Sequence, residues 1–308
     1  MNEYVLLTAA RNEEDFIEKP LRAVVSQTVK PKRWIIVNDG SVDRTAEIVR
    51  RFAAKEPFIE LIDTSGDSNR NFGSKARAIN FAYERTGNID FDFVGNLDAD
   101  VSFDPTYYEE VLSRFAENPR LGIAGGIRYD RVEGRYIRVK SAQNSVGGPF
   151  QMFRRECFEK IGGYLPLQYG GIDAVAEISA RMHGWQVRCF PELRIFHYRM
   201  TGSATSGRVG VKFKAGIKEY LIGYHPVFQM LRAASSLTAK PAVFGSMAWI
   251  CGYYWAFLKR FKRPVSNDFV RYLRSEQLRR IRSALPGLET RFTAGNRVSP
   301  ISQTSMRQ

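Results

Sequence analysis

Cysteine is scarce in this chain of 308 residues: Cys157, Cys189 and Cys251, at no paired spacing. That rules out a disulfide framework and a thiolate zinc centre. Glycine-rich phosphate loops are missing too. No Gly-x-Gly-x-x-Gly follows an apolar run and no Walker A lysine loop occurs, which removes the dehydrogenase and P-loop readings. The opening Met1-Asn2-Glu3-Tyr4-Val5 has no basic segment leading into a long apolar one, so the expected compartment is the cytosol. Acid is in deficit. The formal net charge of +14 predicts an anionic partner, with nucleic acid, nucleotide sugars, lipid phosphates and anionic membrane all compatible. A composition of 44% hydrophobic and 25% charged residues suits one large domain, or one domain plus an appendage.

What is present is an alternation. Apolar runs at Tyr4-Val5-Leu6-Leu7, Trp34-Ile35-Ile36-Val37, Phe58 to Ile62 and Phe91 to Leu97 read as strands. Between them lie helical patterns carrying Phe16, Ile17, Leu21, Val24 and Val25, then Ile48, Val49 and Phe52, then Ala76 to Tyr83. Ser41 suits the N-cap of the second helix. Short buried strands alternating with helices predict parallel pairing and a doubly wound, three-layer α/β/α domain with a mostly parallel central sheet.

The densest chemical signal is Asp98-Ala99-Asp100, where the fourth apolar run gives out. At a strand's carboxyl end the backbone turns, and two carboxylates one residue apart can converge on a cation. Mg²⁺ or Mn²⁺ takes such oxygen ligands and leaves room for substrate phosphates. Ligands of open α/β sheets bind beyond the strands' carboxyl ends. A solvated turn closed by Asp104 is the alternative. Phe103, where an EF-hand needs glycine, disfavours that loop.

Taken in order, the motifs resemble the family 2 glycosyltransferases, which have the GT-A fold. Thr8-Ala9-Ala10-Arg11-Asn12-Glu13-Glu14 is similar to their opening, and Val37-Asn38-Asp39-Gly40-Ser41 to their nucleotide-binding turn. Asp98-Ala99-Asp100 falls at their metal motif. Gly162-Gly163-Tyr164 and the stretch from Asp173 to Gly184-Trp185 match their acceptor-side region and the helix carrying their base. Ala9 stands where many members have Pro, Asn38 replaces the first Asp of Asp-Asp-Gly-Ser, and Ile172 replaces a Glu. The resemblance covers roughly residues 3 to 205. It implies an inverting transfer from a nucleoside-diphosphate sugar, with a UDP-sugar favoured, and a divalent metal, Mg²⁺ or Mn²⁺. Ala10, Asn12, Glu13, Asp39, Asp98 and Arg199 would line the donor, and Asp39 would accept the N3–H of a uracil-like base. An Asx-turn is the plainer use of Asp39. One of Lys75 and Arg77, at a helix start, would touch base or diphosphate. Asp98, Asp100 and His197, one of only three histidines, would hold the metal. Asp173 would be the general base, with Glu177 one helical turn on as its substitute. The small-residue loop from Thr201 to Gly207 reads as a lid or a linker.

The last third changes character. Arg208, Lys212, Lys214 and Lys218 punctuate an amphipathic stretch, and the uncharged segment 241–258 ends in Lys259-Arg260-Phe261-Lys262-Arg263. A single span there would leave basic residues on both sides of a membrane, against the positive-inside tendency. A helix in the membrane interface or a re-entrant hairpin resolves that conflict; burial against the catalytic domain is the other reading. The expected organisation is a catalytic domain over 1–205, a basic aromatic helical region over 206–290 and a disordered tail over 291–308. The expected partners are the donor, a glycan or lipid-linked glycan acceptor, and an anionic membrane surface at the inner face of the cell membrane, with no nucleic acid. Two rivals stand beside this. A sugar nucleotidyltransferase would need a Gly-rich, Arg- and Lys-bearing loop after the first strand, which Ala10-Arg11-Asn12-Glu13 is not. A non-enzymatic basic protein would leave the ordered acids of the first half unexplained.

Overall fold

A strand with no polar face must be covered on both sides, and β1 (Tyr4–Ala10) is buried along almost its whole length. The computed structural model describes residues 3–65, 72–139, 141–199, 208–236 and 242–284. In it β1 lies between β2 (Arg33–Asp39) and β4 (Phe93–Asn96), parallel to both, and β3 (Ile59–Thr64) extends the sheet beyond β2. The connecting helices are α1 (Glu18–Val25), α2 (Thr45–Ala53) and α3 (Phe72–Glu84). The second half adds β5 (Val101–Phe103), α4 (Tyr107–Glu117), β6 (Leu121–Val132), β7 (Arg135–Arg138), a 3₁₀ turn at Gly148–Phe150 and β8 (Met152–Arg154). It closes with α5 (Arg155–Ile161), α6 (Ile172–Met182) and β9 (Gln186–His197). The strand order is β3-β2-β1-β4-β8-β6-β9-β5, with β7 paired to β6. Only β5, β7 and β8 run against the common direction, so the sheet is mostly parallel, as the alternation predicts.

This topology opens the carboxyl ends of β1, β2 and β4 on one side. A buried chain of hydrogen bonds fixes that edge: the Trp34 indole donates to Thr8 Oγ1 (2.9 Å), and the Thr8 hydroxyl donates to the Leu97 carbonyl (2.7 Å). Ser41 does not cap α2. The cap position is Arg44, and Asp43 accepts both the amide (3.0 Å) and the hydroxyl (2.6 Å) of Thr45. Ser41 Oγ instead accepts the Asn12 amide at 3.0 Å, because the turn after β2 runs on far enough to meet the β1 loop.

Four helices complete the described chain: α7 (Arg208–Ile222), α8 (Pro226–Ser235), α9 (Ala242–Leu258) and α10 (Asn267–Ala284). α7 and α9 cross in backbone contact. A Cβ on Gly216 would lie 2.1 Å from the Trp249 carbonyl oxygen, and one on Gly252 would lie 2.0 Å from that of Phe213. Ile217, Tyr220, Tyr253 and Ala256 form a small core of their own there. α10 returns to the main core through Phe269 and Leu273, and Arg181 on α6 meets Glu276 at 3.2 Å. Helix α9 therefore packs on α7 and also shows an apolar face, with Phe244 76% and Leu258 74% exposed. No helix among the described residues is long and apolar enough to cross a membrane. The candidate lid at 201–207 and the tail at 291–308 lie outside the described residues.

Candidate active site

Ala10 ends β1, Asp39 ends β2, and the short link between β4 and β5 carries Asp98 and Asp100. With Arg11, Glu13, Ser74 and Lys75 these residues line one cavity of about 160 Å³. Its acids and bases alternate. Lys75, in the first turn of α3, bonds Asp98. Burial works against its ammonium, but the charges of Asp98, Asp100 and Asp173 prevail and raise its pKa. His197 ends β9, and the sheet register sets it opposite both Val101 of β5 and Asp130 of β6. Its Nε2 lies 3.4 Å from Asp100 Oδ2 and its Nδ1 lies 3.0 Å from Asp130 Oδ1. Burial opposes the imidazolium, yet the bond to Asp100 and the two carboxylate charges hold its pKa above the ordinary value. Burial likewise pushes Asp100 up, but His197, Lys75 and Arg199 outweigh it and keep the carboxyl below the usual carboxylate range. Arg199 reaches Glu13 Oε2 at 2.5 Å and Asp100 Oδ2 at 3.8 Å, so carboxylates engage its fork in this state.

Two aspartates and an imidazole are a donor set that Mg²⁺ or Mn²⁺ accepts, and Asp100 and His197 already meet. The chemistry of these residues fits such an ion. Among the described residues, however, no group of three His, Cys, Asp or Glu side chains is gathered as a ready cation site. Lys75 neutralises Asp98 instead, so an arriving cation competes with it.

The structure separates the two cations at the start of α3. Lys75 faces the paired aspartates. Arg77 lines an adjoining cavity of about 260 Å³ with Asp39, Thr64 and Ser74. Asp39 also lies 3.7 Å from Arg11 Nη1. Asn12 also ties the site's loops. In a left-handed conformation (φ 55°), it accepts the Val42 amide through Oδ1 at 2.9 Å, which ties the two loops together. Asn38 donates to Asp63 Oδ1 at 2.7 Å, a bond that an Asp in its place could not make with that carboxylate.

Asp173 lies in the first turn of α6, whose N-cap is Gly171 (φ 90°). Its carboxylate rests against the 3₁₀ turn: a Cβ on Gly148 would come within 3.1 Å of Asp173 Oδ2. The same turn accepts the Asp98 amide through the Pro149 carbonyl at 2.9 Å. One turn thus joins the Asp-x-Asp to Asp173. Glu177 points into the core. Its Oε1 accepts the Val146 amide (2.6 Å) and the Gln151 amide (3.2 Å), so it holds the fold where a substitute base was expected. The sequence reading missed Gly148, Asp130 and the buried Gln151, whose Oε1 accepts the hydroxyl of Tyr164 at 2.6 Å. A glutamine between apolar neighbours was the available signal for Gln151.

Burial, reinforced by Asp173's charge, lifts the pKa of Glu177 to about 8. A carboxyl whose folded pKa is raised stabilises the fold fully below its ordinary pKa, and that contribution fades as pH rises towards 8. The thermal midpoint is therefore expected to fall between pH 5 and pH 8, and Glu177→Gln to flatten that slope. Parallel melting curves for parent and variant would refute this assignment.

Comparison with known proteins shows the family. The profile described as Glycosyl transferase family 2 matches residues 6–166, more than half of the chain. The chain belongs to glycosyltransferase family 2. Poly-beta-1,6-N-acetyl-D-glucosamine synthase of Staphylococcus aureus (strain MSSA476) is 29% identical over 211 residues, covering 60% of this chain and 47% of the relative. The synthase of the same name from Staphylococcus epidermidis is 29% identical over 199 residues, covering 58% and 45%. The chain thus spans about half the length of the curated relatives it matches. Solved structures share the fold. A mannosyltransferase from Pyrobaculum calidifontis, in complex with GDP-Man and Mn²⁺, superposes with a TM-score of 0.55 at 15% identity, covering 95% of this chain and 79% of that one. S. aureus TarS 1-349 with UDP-GlcNAc gives 0.52 at 15%, covering 92% and 80%.

Proposed function

We propose that this family 2 member is an inverting enzyme that moves a sugar from a nucleoside-diphosphate sugar, a UDP-sugar, to a hydroxyl of a glycan or lipid-linked glycan in polysaccharide assembly. The observation that carries the reading is that Asp173 and Asp98 both meet one turn at Gly148–Phe150. A base and a diphosphate site must stand that close for an acceptor oxygen to attack the anomeric carbon from the side opposite the leaving group. Asp173 takes the acceptor's proton as the new carbon–oxygen bond forms. The bond from the anomeric carbon to the diphosphate breaks, and the nucleoside diphosphate leaves with that electron pair. Lys75 and Arg199 face the developing charge. Ala10, Asn12, Glu13 and Asp39 frame the nucleoside side, and Arg77 stands at its base end. Asp98, Asp100 and His197 would hold a divalent ion, Mg²⁺ or Mn²⁺. When bound, it supplies charge neutralisation at the diphosphate. The complexes of fold relatives with UDP-GlcNAc and with GDP-Man and Mn²⁺ support a nucleotide-sugar donor and such an ion. We place the work at the inner face of the membrane, with α8 and α9 resting on an anionic surface.

Thermal melting with UDP and Mn²⁺ tests the donor site. Ligand at a hundred times its Kd should raise the midpoint by roughly 5 °C or more. EDTA should cancel most of that rise and added Mn²⁺ restore it. No response to UDP, GDP or dTDP would sink the donor reading, and a response indifferent to EDTA would remove the metal.

A further inference from the structure

Beyond the donor cleft, a cavity of about 470 Å³ opens between the 166–170 loop and the C-terminal helices. Its wall carries two cations, Lys218 of α7 and Lys262, beside Leu167, Tyr169 and Phe261, and it carries no carboxylate. Among the described residues neither lysine is ion-paired with an acid. Glu219, the neighbour of Lys218 in sequence, is buried and bonds Arg232 Nη1 at 2.7 Å.

The cavity adjoins the proposed base. Gly171, the cap of α6, sits under α7 so closely that a Cβ there would lie 2.8 Å from Ile222 Cδ1 and 3.2 Å from Lys218 Cδ. The stem of Lys218 therefore lies over the first residue of the turn that holds Asp173. With two lysines and no carboxylate among its lining residues, the wall is positively charged, and an anion offsets that charge. Phosphate esters meet that need, and the half-buried ring of Tyr169 offers a face for a sugar.

We propose that this cavity is the acceptor-side subsite and that it takes a phosphate-bearing glycan, with the phosphate gripped by Lys218 and Lys262. The assignment rests on the reading of Asp173 as the base. The phosphate belongs either to a diphosphate-linked lipid carrier or to a phosphodiester within a polymer, and the two sources separate in the test.

With UDP at saturation, binding of N-acetylglucosamine 1-phosphate, glycerophosphoglycerol and plain N-acetylglucosamine to the full chain is measured by ligand-observed NMR. One of the phosphate esters should bind, and the neutral sugar should bind roughly tenfold more weakly or worse, the usual scale for losing a charge-assisted contact. A preference for the monoester supports the carrier source, and a preference for the diester supports the polymer. Lys262→Glu, at an exposed position, should abolish ester binding while the melting midpoint and the shift induced by UDP stay as in the parent; Lys218→Gln should weaken it. Equal binding of an ester to parent and Lys262→Glu, or equal affinity for the neutral sugar, overturns the proposal. If UDP fails to bind while ester binding still needs Lys262, the donor reading falls and the phosphate subsite stands.

Discussion

Asp173→Asn is expected to bind UDP as the parent does and to lose turnover by roughly 10²–10⁴-fold, the usual range for a general base. The substitution keeps shape and removes only the proton acceptor. It should not cost the fold, because Gly171 and not Asp173 occupies the cap of α6. Rescue by Glu177 is closed off, since that carboxyl is buried and holds the Val146 amide at 2.6 Å. Single-turnover transfer to a true acceptor, beside UDP binding by melting, separates the two effects. A variant that works at near-parent rate would move the proton to water and end the assignment.

The second large effect concerns the apolar face of α9. Liposomes containing anionic lipid should sediment the full chain, and high salt should remove only part of it. The salt-sensitive part reflects Lys and Arg near the surface, worth about 1 kcal/mol each. The resistant part reflects Phe244, Leu258 and their neighbours, where each large apolar side chain taken from water contributes about 1.5–3 kcal/mol. Phe244→Glu with Leu258→Glu should erase the resistant part while leaving the melting midpoint near the parent's, because both side chains face solvent in the free protein. A chain that ignores anionic liposomes at low salt would redirect the search to an acceptor away from membranes.

The sheet was legible because its strands carry their burial in their own letters. Tyr4-Val5-Leu6-Leu7 and Trp34-Ile35-Ile36-Val37 have no polar face, and only parallel pairing between helix layers hides both sides. Asp98 and Asp100 were legible for a related reason: acids directly after such a run must sit where the run leaves the core. His197 could be named by resemblance, but its partner Asp130 could not. Their meeting depends on the parallel pairing of β6 with β9, which shifts register twice and leaves no local trace. Ser41 misled because capping chemistry and loop bridging use the same small polar residues. Gly148 was invisible for the opposite reason. Its value lies in what a side chain would strike, and that side chain is Asp173, far along the sequence. The segment 241–258 posed burial and membrane contact as alternatives, whereas a helix has two faces, and α9 buries Tyr253 and Ala256 while exposing Phe244 and Leu258.

The contact of α7 with α9 through Gly216 and Gly252 has a mechanical consequence. Helices in backbone contact leave no room for a side chain between them, so a volume change of one methyl is felt at the crossing. On one side α9 bears the apolar surface, and on the other α7 bears Lys218 and packs on Gly171 at the root of α6. A methyl at either glycine would lift α9 off α7 and carry the exposed Phe244 and Leu258 away with it.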